Sequence, residues 1–205
     1  MPICPLCQNI STPFYKDEFY ECVCCGGIFR PKEKLLDNQK EKERYESHTN
    51  DSNDLGYQNF VSPITNTVLD EYKKDDLGLD FGCGKDSPIV KVLRQSEYKI
   101  FEYDPYFFDD KKLLEEKYDY IACCEVIEHF YNPKKEFELL KSLLKEKSTL
   151  YLMTGIYRDN IDFSKWWYKN DLTHVFIYRE KTFEWIKEEF GFKNMFIEKN
   201  FIKFS

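Results

Sequence analysis

Five of the eight cysteines fall between Cys4 and Cys25, in a pattern typical of a metal site. Four of them form two CxxC pairs: Cys4, Cys7, Cys22 and Cys25. Two such pairs can bring four thiolates to one point, where Zn²⁺ accepts tetrahedral sulfur coordination and supplies folding energy that about 30 residues cannot obtain from a hydrophobic core. We therefore expect residues 1–30 to form a small ribbon with a structural zinc ion, and Cys24 to lie outside the site.

A turn with the sequence LDFGCG, residues 79–84, is a candidate ligand-binding loop. Gly82 and Gly84 would let a ligand approach the backbone closely because neither has a Cβ atom. About 20 residues later Asp104 ends the next predicted strand, where a carboxylate can accept hydrogen bonds from ribose hydroxyls. Asp86 stands near the third glycine position of dinucleotide-binding turns, and its charge would oppose a pyrophosphate at a helix start. The pattern thus favours a nucleoside ligand without phosphates over NAD.

Two histidines are candidates for acid–base chemistry. His129 ends the sequence EVIEH, which lacks the second histidine of zinc-protease motifs because Glu125 occupies that place. A structural role for His129 is an equally good interpretation. His174 is the stronger candidate, because it follows a cluster of aromatic and polar residues: Trp166, Trp167, Tyr168 and Asp171. Core packing of these aromatic side chains is the alternative.

The elements that must position these residues alternate between strand and helix. Strands are predicted at 77–81, 98–103, 118–124 and 149–153, helices start at Ser62, Ser87, Asn132 and Lys181, and two short strands end the chain. The pattern predicts an α/β fold: a Rossmann-like, doubly wound, mostly parallel sheet with an antiparallel C-terminal strand, preceded by the zinc ribbon. We expect three units: the ribbon at 1–30, a charged helical linker or lid at 31–55, and the ligand-binding domain at 56–205.

Over residues 56–205 the chain resembles the class I S-adenosylmethionine-dependent methyltransferases. The resemblance rests on the LDFGCG turn, on YDP at 103–105, and on the segment 118–130 that contains EVIEH. The sequence WWY followed by DLTHV resembles a signature of a little-characterised bacterial subgroup, some members of which have a cysteine-rich N-terminus. The chain departs from the family at Lys85 and Asp86, and residues 105–117 are too few for a helix and a strand. The adenine contacts are therefore unassigned.

The resemblance implies S-adenosylmethionine as the cofactor and a role for each matching residue. Eight residues are implied at the cofactor: Asp80, Gly82, Cys83, Gly84, Asp104, Cys124, Glu125 and Tyr57. Of these, Asp80 would orient the turn, Asp104 would hold the ribose, and Tyr57 would belong to a lid with Tyr45 and His48. His174 is the implied general base and His129 a weaker catalytic candidate. The acceptor would lie against Trp166, Trp167, Tyr168 and Asp171.

The charge and hydrophobicity of the sequence indicate which kinds of partner the protein could bind. The 205 residues include 30 Lys and Arg against 37 Asp and Glu, a net charge of -7. Residues 1–30 contain two basic and three acidic side chains, so the ribbon lacks the basic surface that RNA binding needs. No apolar run is long enough to cross a membrane, and we expect a cytoplasmic protein acting on a small-molecule acceptor. The alternatives are an RNA methyltransferase with the ribbon as a clamp, and a non-catalytic ribbon-containing binding protein.

Overall fold

Two β-sheets organise the chain in the computed structural model, which describes residues 1–46 and 51–205 without the side chains of Asn38 and Tyr45. The strands are, in chain order, β1 (Ser11–Tyr15), β2 (Phe19–Cys22), β3 (Ile28–Phe29), β4 (Leu77–Phe81), β5 (Lys99–Tyr103), β6 (Tyr118–Cys124), β7 (Leu144–Met153), β8 (Phe176–Ile177), β9 (Met195–Glu198) and β10 (Phe201–Phe204). The α-helices are α1 (Asn38–Glu46), α2 (Leu55–Glu71), α3 (Pro88–Gln95), α4 (Pro133–Leu143) and α5 (Glu180–Glu189).

The larger sheet has the strand order β5-β4-β6-β7-β10-β9. Strands β4 to β7 are parallel, whereas β10 pairs antiparallel with both β7 and β9. Asp80 lies in register between Glu102 on β5 and Ala122 on β6, so the carboxyl ends of these three strands meet at one edge. The predicted Rossmann-like sheet with antiparallel C-terminal strands is confirmed.

Helices cover both faces of this sheet. On one face α2 and α3 bury Val61, Ile64 and Leu93 against sheet residues such as Tyr120. On the other face α4 and α5 bury apolar side chains that include Phe137. Burying apolar residues from both faces of one sheet provides the main driving force for this arrangement.

Helix α2 begins at Leu55, and the predicted start at Ser62 is wrong. The side chain of Asp54 accepts a hydrogen bond from the Tyr57 amide at 3.1 Å and caps the helix. Pro63 therefore lies inside the helix, where it cannot donate to the carbonyl of Asn59. The Ser62 hydroxyl donates to that carbonyl instead, at 2.7 Å, so the break in the backbone hydrogen bonds is compensated.

The smaller sheet joins the ribbon to the rest of the chain. Its order is β1-β2-β3-β8, and β8, which the sequence did not predict, comes directly after the segment that contains His174. Phe29 pairs with Phe176 in this sheet. A Cβ atom on Gly27 would lie 2.3 Å from the Phe176 ring, so the close approach of the two strands requires glycine there. The ribbon is thus continuous with a segment that comes much later in the sequence.

Helices long and apolar enough to span a bilayer do not occur in the described part of the chain.

Candidate functional site

A cavity of about 910 Å³ opens at the carboxyl ends of β4, β5 and β6. One wall, here called the turn side, comes from the loops after β4 and β5: Gly82, Cys83, Gly84, Asp104, Tyr106 and Phe107. The opposite wall, here called the histidine side, comes from the loops after β6 and β7: Glu125, His129, Trp167, Asp171 and His174. Tyr57 and Cys124 also line the cavity. The tertiary structure therefore brings most of the predicted site residues to one place.

The glycines of the turn side have conformations that other residues rarely adopt. Gly82 has a φ of 78° and Gly84 a φ of 65°. A Cβ atom on Gly82 would lie 2.5 Å from the Val126 side chain. The Gly82 amide donates to the Tyr103 carbonyl at 2.7 Å. Both the positive φ and the close contact require glycine at this position.

Asp104 connects the two loops of the turn side. One of its carboxylate oxygens accepts from the Gly84 amide at 3.1 Å, and the other accepts from the amides of Tyr106 and Phe107 at 2.8 and 3.2 Å. An ionised carboxylate offers about four acceptor positions, so these three bonds leave capacity for a ligand hydroxyl. Asp104 thus holds the loops together and still faces the cavity.

Asp80 lies behind the turn, buried and outside the lining of the cavity. Its carboxylate accepts from the Ser87 hydroxyl at 2.5 Å, and that hydroxyl also accepts from the Val90 amide at the start of α3. Burial raises the pKa of Asp80 to about 7, although the Ser87 hydrogen bond acts in the opposite direction. The contacts connect the turn to the helix that follows it.

The segment after Asp104 contains contacts that sequence reasoning missed. Residues Lys111–Leu114 form a short 3-10 turn, and no α-helix occurs between Asp104 and β6, all of which is described. Tyr106, Phe107 and Leu114 reach the cavity from this segment. The aromatic run that follows Asp104 was the available signal, since flat side chains beside a ribose-type carboxylate suit a nucleobase.

Lys85 and Asp86, the departures from the family pattern, hold the chain on both sides of residues 47–50. Lys85 donates to the Glu46 carbonyl, and Asp86 accepts from the Ser52 amide at 2.8 Å. Tyr57 lines the cavity, where burial raises the pKa of its hydroxyl. His48 and the side chain of Tyr45 lie outside the described residues, so the predicted lid stays a prediction.

Two neighbouring carboxylates lie at the base of the histidine side. Glu125 has a φ of 52°, an uncommon conformation for a residue other than glycine. Glu128 is fully buried, and its two oxygens accept from the Tyr168 hydroxyl at 2.6 Å and the Thr154 hydroxyl at 2.9 Å. Burial, followed by the Glu128 charge, raises the pKa of Glu125 to about 9. Sequence reasoning missed Glu128, although its spacing from Glu125 and His129 was visible.

The two candidate histidines lie side by side, with ring centroids 4.9 Å apart. The Nδ1 atom of His129 is 2.9 Å from the Thr173 carbonyl, and that of His174 is 2.7 Å from the Tyr168 carbonyl. A carbonyl only accepts, so in the neutral rings Nδ1 has the proton and Nε2 has the lone pair. Burial lowers the pKa of His174, which favours the neutral form of its ring.

The predicted acceptor residues occupy different positions. Trp167 is 69% exposed at the rim of the cavity, and Asp171 lines the cavity and pairs with Arg44 at 2.7 Å. Trp166 and Tyr168 lie behind this rim, stacked at 5.0 Å between ring centroids. One of the two adjacent tryptophans is thus exposed, and the other packs behind it.

The four CxxC sulfurs converge in the ribbon. Cys4 and Cys25 have their Sγ atoms 3.7 Å apart, Cys7 and Cys22 have theirs 3.2 Å apart, and all four lie within 4.8 Å of one another. A tetrahedral ion with Zn–S bonds of about 2.3 Å needs sulfurs about 3.8 Å apart. All eight cysteines are free thiols, and Cys24 lies outside the group. The donor set fits zinc.

Arg30 connects the ribbon to the histidine side. Its amide donates to the Val175 carbonyl at 2.9 Å, and its guanidinium donates to the Lys169 carbonyl at 2.7 Å. The side chain is buried and lies over the Phe19 ring at 4.3 Å. Because Lys169 follows Tyr168 and Val175 follows His174, the ribbon supports both ends of the segment that orients His174.

Residues 55–195 match the family described as the methyltransferase domain. The chain belongs to this methyltransferase family. Solved structures with the same fold include a SAM-dependent methyltransferase from Archaeoglobus fulgidus, with 19% identity and a TM-score of 0.53 over 79% of this chain and 77% of that chain. Human N-acetylserotonin methyltransferase in complex with SAM has 11% identity and a TM-score of 0.54 over 82% and 56% of the two chains.

Phosphoethanolamine N-methyltransferase 2 from Haemonchus contortus, in complex with SAM, has 12% identity and a TM-score of 0.55 over 83% of this chain and 47% of that chain. The chain thus spans about half the length of the human and Haemonchus enzymes. No curated protein matches the chain. At these identities the structural likeness establishes the fold, and the family match over most of the chain establishes the methyltransferase domain.

Proposed function

We propose that this protein is an S-adenosylmethionine-dependent methyltransferase that moves a methyl group to an oxygen, nitrogen or carbon atom of a small or medium-sized molecule. The observation that supports this most directly is the cavity itself, in which the glycine turn and Asp104 lie opposite His174. Two walls of this kind suit a reaction that needs a bound donor and a deprotonated acceptor.

The turn side would hold the cofactor, whose sulfonium supplies an electrophilic methyl group. Asp104 would accept hydrogen bonds from the ribose, and the Gly82–Gly84 backbone would border the methionine part, with Cys83 beside it. Phe107 and Leu114 would enclose the adenine. Cys124 and Glu125 lie between the two walls of the cavity and would line the region near the sulfonium.

The histidine side would hold the acceptor and remove its proton. His174 has the lone pair on Nε2 when its ring is neutral, and its Nδ1 contact with the Tyr168 carbonyl holds the ring in place. A neutral imidazole can accept a proton from a hydroxyl or an amine as the methyl group transfers. His129 is the second candidate for this role, and Trp167 and Asp171 would contact the acceptor at the rim.

A small-molecule acceptor is better supported than RNA. The ribbon is slightly acidic, and it packs through β8 and Arg30 against the histidine side. We propose that residues 1–30 form a zinc-stabilised structural unit, that 31–55 connect it to the cavity, and that 56–205 form the catalytic domain. Two of the neighbours with this fold are named for small acceptors, N-acetylserotonin and phosphoethanolamine.

Calorimetry with S-adenosylmethionine and S-adenosylhomocysteine tests the cofactor assignment. We expect the wild type to bind both and Asp104→Ala to bind at least about 10-fold more weakly, because a hydrogen bond to a charged group contributes about 1.5–3 kcal/mol. Asp109→Asn, an acid nearby but outside the cavity lining, is the matched control. No heat with either compound would overturn the enzyme assignment and favour a non-catalytic binding protein.

His174→Gln tests the acceptor side. The variant should keep cofactor binding and lose turnover by about 10²–10⁴-fold, the usual contribution of a general base. Turnover is followed by transfer of a labelled methyl group to a small-molecule extract, with the product identified by mass spectrometry. Labelling confined to tRNA or rRNA would contradict the small-molecule assignment.

A further inference from the structure

Three side chains on the histidine side form a cluster that the proposed base chemistry does not fully use. The ligand atoms of Glu128, His129 and His174 lie within 4.8 Å of one another, and Nε2 of His129 is 4.0 Å from a carboxylate oxygen of Glu128. We propose that these three residues bind a divalent metal ion, which holds the acceptor at the histidine side. The acceptor part of this inference rests on the proposed function.

The tautomers of the two histidines suit metal binding. Both rings place Nδ1 against a backbone carbonyl, so Nε2 is the nitrogen that has the lone pair for coordination when the rings are neutral. Metal-binding histidines commonly donate their other ring N–H to a carbonyl or carboxylate, which fixes the ring and raises its basicity. The Thr173 and Tyr168 carbonyls supply that second contact here.

The carboxylate of the cluster is oriented in the same way. Glu128 accepts from the hydroxyls of Tyr168 and Thr154, so both of its oxygens are fixed before any ion binds. The Tyr168 hydroxyl also lies 3.5 Å from Glu125. Tyr168, which we had predicted at the acceptor, would therefore act by positioning Glu128 from behind the cavity.

Charge provides an independent argument. Glu125 and Glu128 lie together in a largely buried site, and neither forms an ion pair with a lysine or an arginine in the part of the chain that the structure describes. Buried charges in proteins are usually paired or coordinate metals. In such a site the two carboxyl groups need a cation nearby to be ionised together, and a dication between Glu128 and the histidines would supply it, with Glu125 beside it.

The site is also open on one side. Glu125, His129 and His174 line the cavity, so an ion there would have three protein ligands and free positions facing the space for the acceptor. Catalytic metal sites keep such positions, and two histidines with one carboxylate suit Zn²⁺, Mn²⁺ or Fe²⁺. An acceptor with a hydroxyl or carboxylate oxygen could bind the ion directly, and its hydroxyl would then lose a proton to water more easily. In this metal-bound state the Nε2 lone pair of His174 is used by the ion, so the ion, and not His174, would activate the acceptor.

Metal stoichiometry tests the inference without measuring activity. One sample of full-length protein is dialysed against excess buffered Zn²⁺, and another, given only enough zinc for the ribbon, is titrated with Mn²⁺ under electron paramagnetic resonance. We expect a second zinc beyond the ribbon equivalent in the first sample and one Mn²⁺ site in the other. Glu128→Gln and His174→Ala should each weaken this site by roughly 100-fold or more, since loss of even an outer-shell partner costs 10–100-fold.

Glu136→Gln, a carboxylate that lines the cavity outside the cluster, should leave Mn²⁺ binding unchanged. Binding of S-adenosylmethionine to each variant shows whether it is folded and tests the proposed function separately. Cofactor binding without a second zinc or any Mn²⁺ would overturn the metal site and leave the methyltransferase assignment standing. Retention of the site in both Glu128→Gln and His174→Ala would also overturn it.

Discussion

The two walls of the cavity are built in different ways. The turn side comes from one continuous stretch, residues 77–107, in which β4, α3 and β5 follow each other and Asp104 bonds to Gly84 across the turn. The histidine side comes from three segments far apart in the sequence: the EVIEH loop, Thr154, and residues 166–175. The ribbon adds a fourth, through Arg30.

Because the two walls are built differently, different mutations should disrupt each of them. On the turn side, local hydrogen bonds and two glycine conformations set the geometry. Substitutions within the turn itself should therefore weaken cofactor binding most. On the histidine side the positions of His174 and Tyr168 depend on the ribbon. A change in the ribbon, far from His174 in the sequence, should therefore impair the acceptor side and spare the cofactor side.

The largest expected effect is on the histidine side, from Cys25→Ser. Loss of one of four sulfur ligands should release zinc and unfold the ribbon, because structural zinc supplies much of the folding energy of such units. With β3 and Arg30 no longer in place, turnover should fall by about 100-fold, the usual cost of misplacing reacting groups by about 1 Å. Metal analysis, cofactor calorimetry and turnover are measured together, with Cys24→Ser as the control. Zinc loss with full turnover would show that the two regions are independent.

Gly82→Ala should damage the turn side instead. The added Cβ atom would meet Val126 at 2.5 Å in a residue with positive φ, so the loop must shift. We expect S-adenosylmethionine to bind on the order of 10-fold more weakly or worse, since left-handed strain alone costs about 1–2 kcal/mol.

Gly191→Ala is the matched control for this change. It has a φ of 66° and nothing within 4 Å of the added atom, so it introduces the same backbone strain far from the cavity. Equal losses of cofactor affinity in both variants, measured by calorimetry, would mean that the Val126 contact has no role.

Arg30→Gln tests the contact between the ribbon and the histidine side, and it should have a smaller effect on turnover than Cys25→Ser. Removing the guanidinium takes away the bond to the Lys169 carbonyl, worth about 1.5–3 kcal/mol for a charged donor. Denaturant unfolding should show a loss of that order, and turnover should fall several-fold while the cofactor dissociation constant stays unchanged. Arg158→Gln is the control, because Arg158 pairs with Glu180 and likewise donates to a backbone carbonyl, that of Lys199, outside the lining of the cavity. A cofactor affinity that falls together with turnover would contradict a role confined to the histidine side.

The last effect is gradual, spread over several pH units, and concerns the buried acid behind the turn. Because the pKa of Asp80 is raised to about 7, the folded protein holds a proton there that the unfolded chain releases above its usual pKa of 3.8. Stability from this group is therefore full below pH 3.8 and is lost as pH rises towards 7, by at most about 1.4 kcal/mol per pH unit. Asp80→Asn should remove this dependence in unfolding curves measured between pH 4 and 8. The same slope in wild type and variant would argue against a protonated Asp80.

Local patterns in the sequence predicted the turn side well. The glycines of LDFGCG and the acid after β5 occupy neighbouring positions because consecutive parallel strands end at one edge of the sheet. The cavity contacts of residues 105–117 could not be predicted, because a short irregular segment has no hydrophobic periodicity. The start of α2 was misjudged for a related reason: Ser62 and Pro63 are a typical helix start, and only the structure shows Ser62 compensating for the missing amide of Pro63.

The sequence by itself determined the cysteine quartet, the alternation of strands and helices, and the residue types at the cavity, because short spacings and hydrophobic periodicity act over short stretches of chain. Only the tertiary structure decided that Glu128 joins the two histidines, that Trp166 and Tyr168 lie behind the rim, and that β8 joins the ribbon to the segment carrying His174. The contacts that fix these positions join distant parts of the chain, and hydrophobic packing of the whole sheet must form before they can exist.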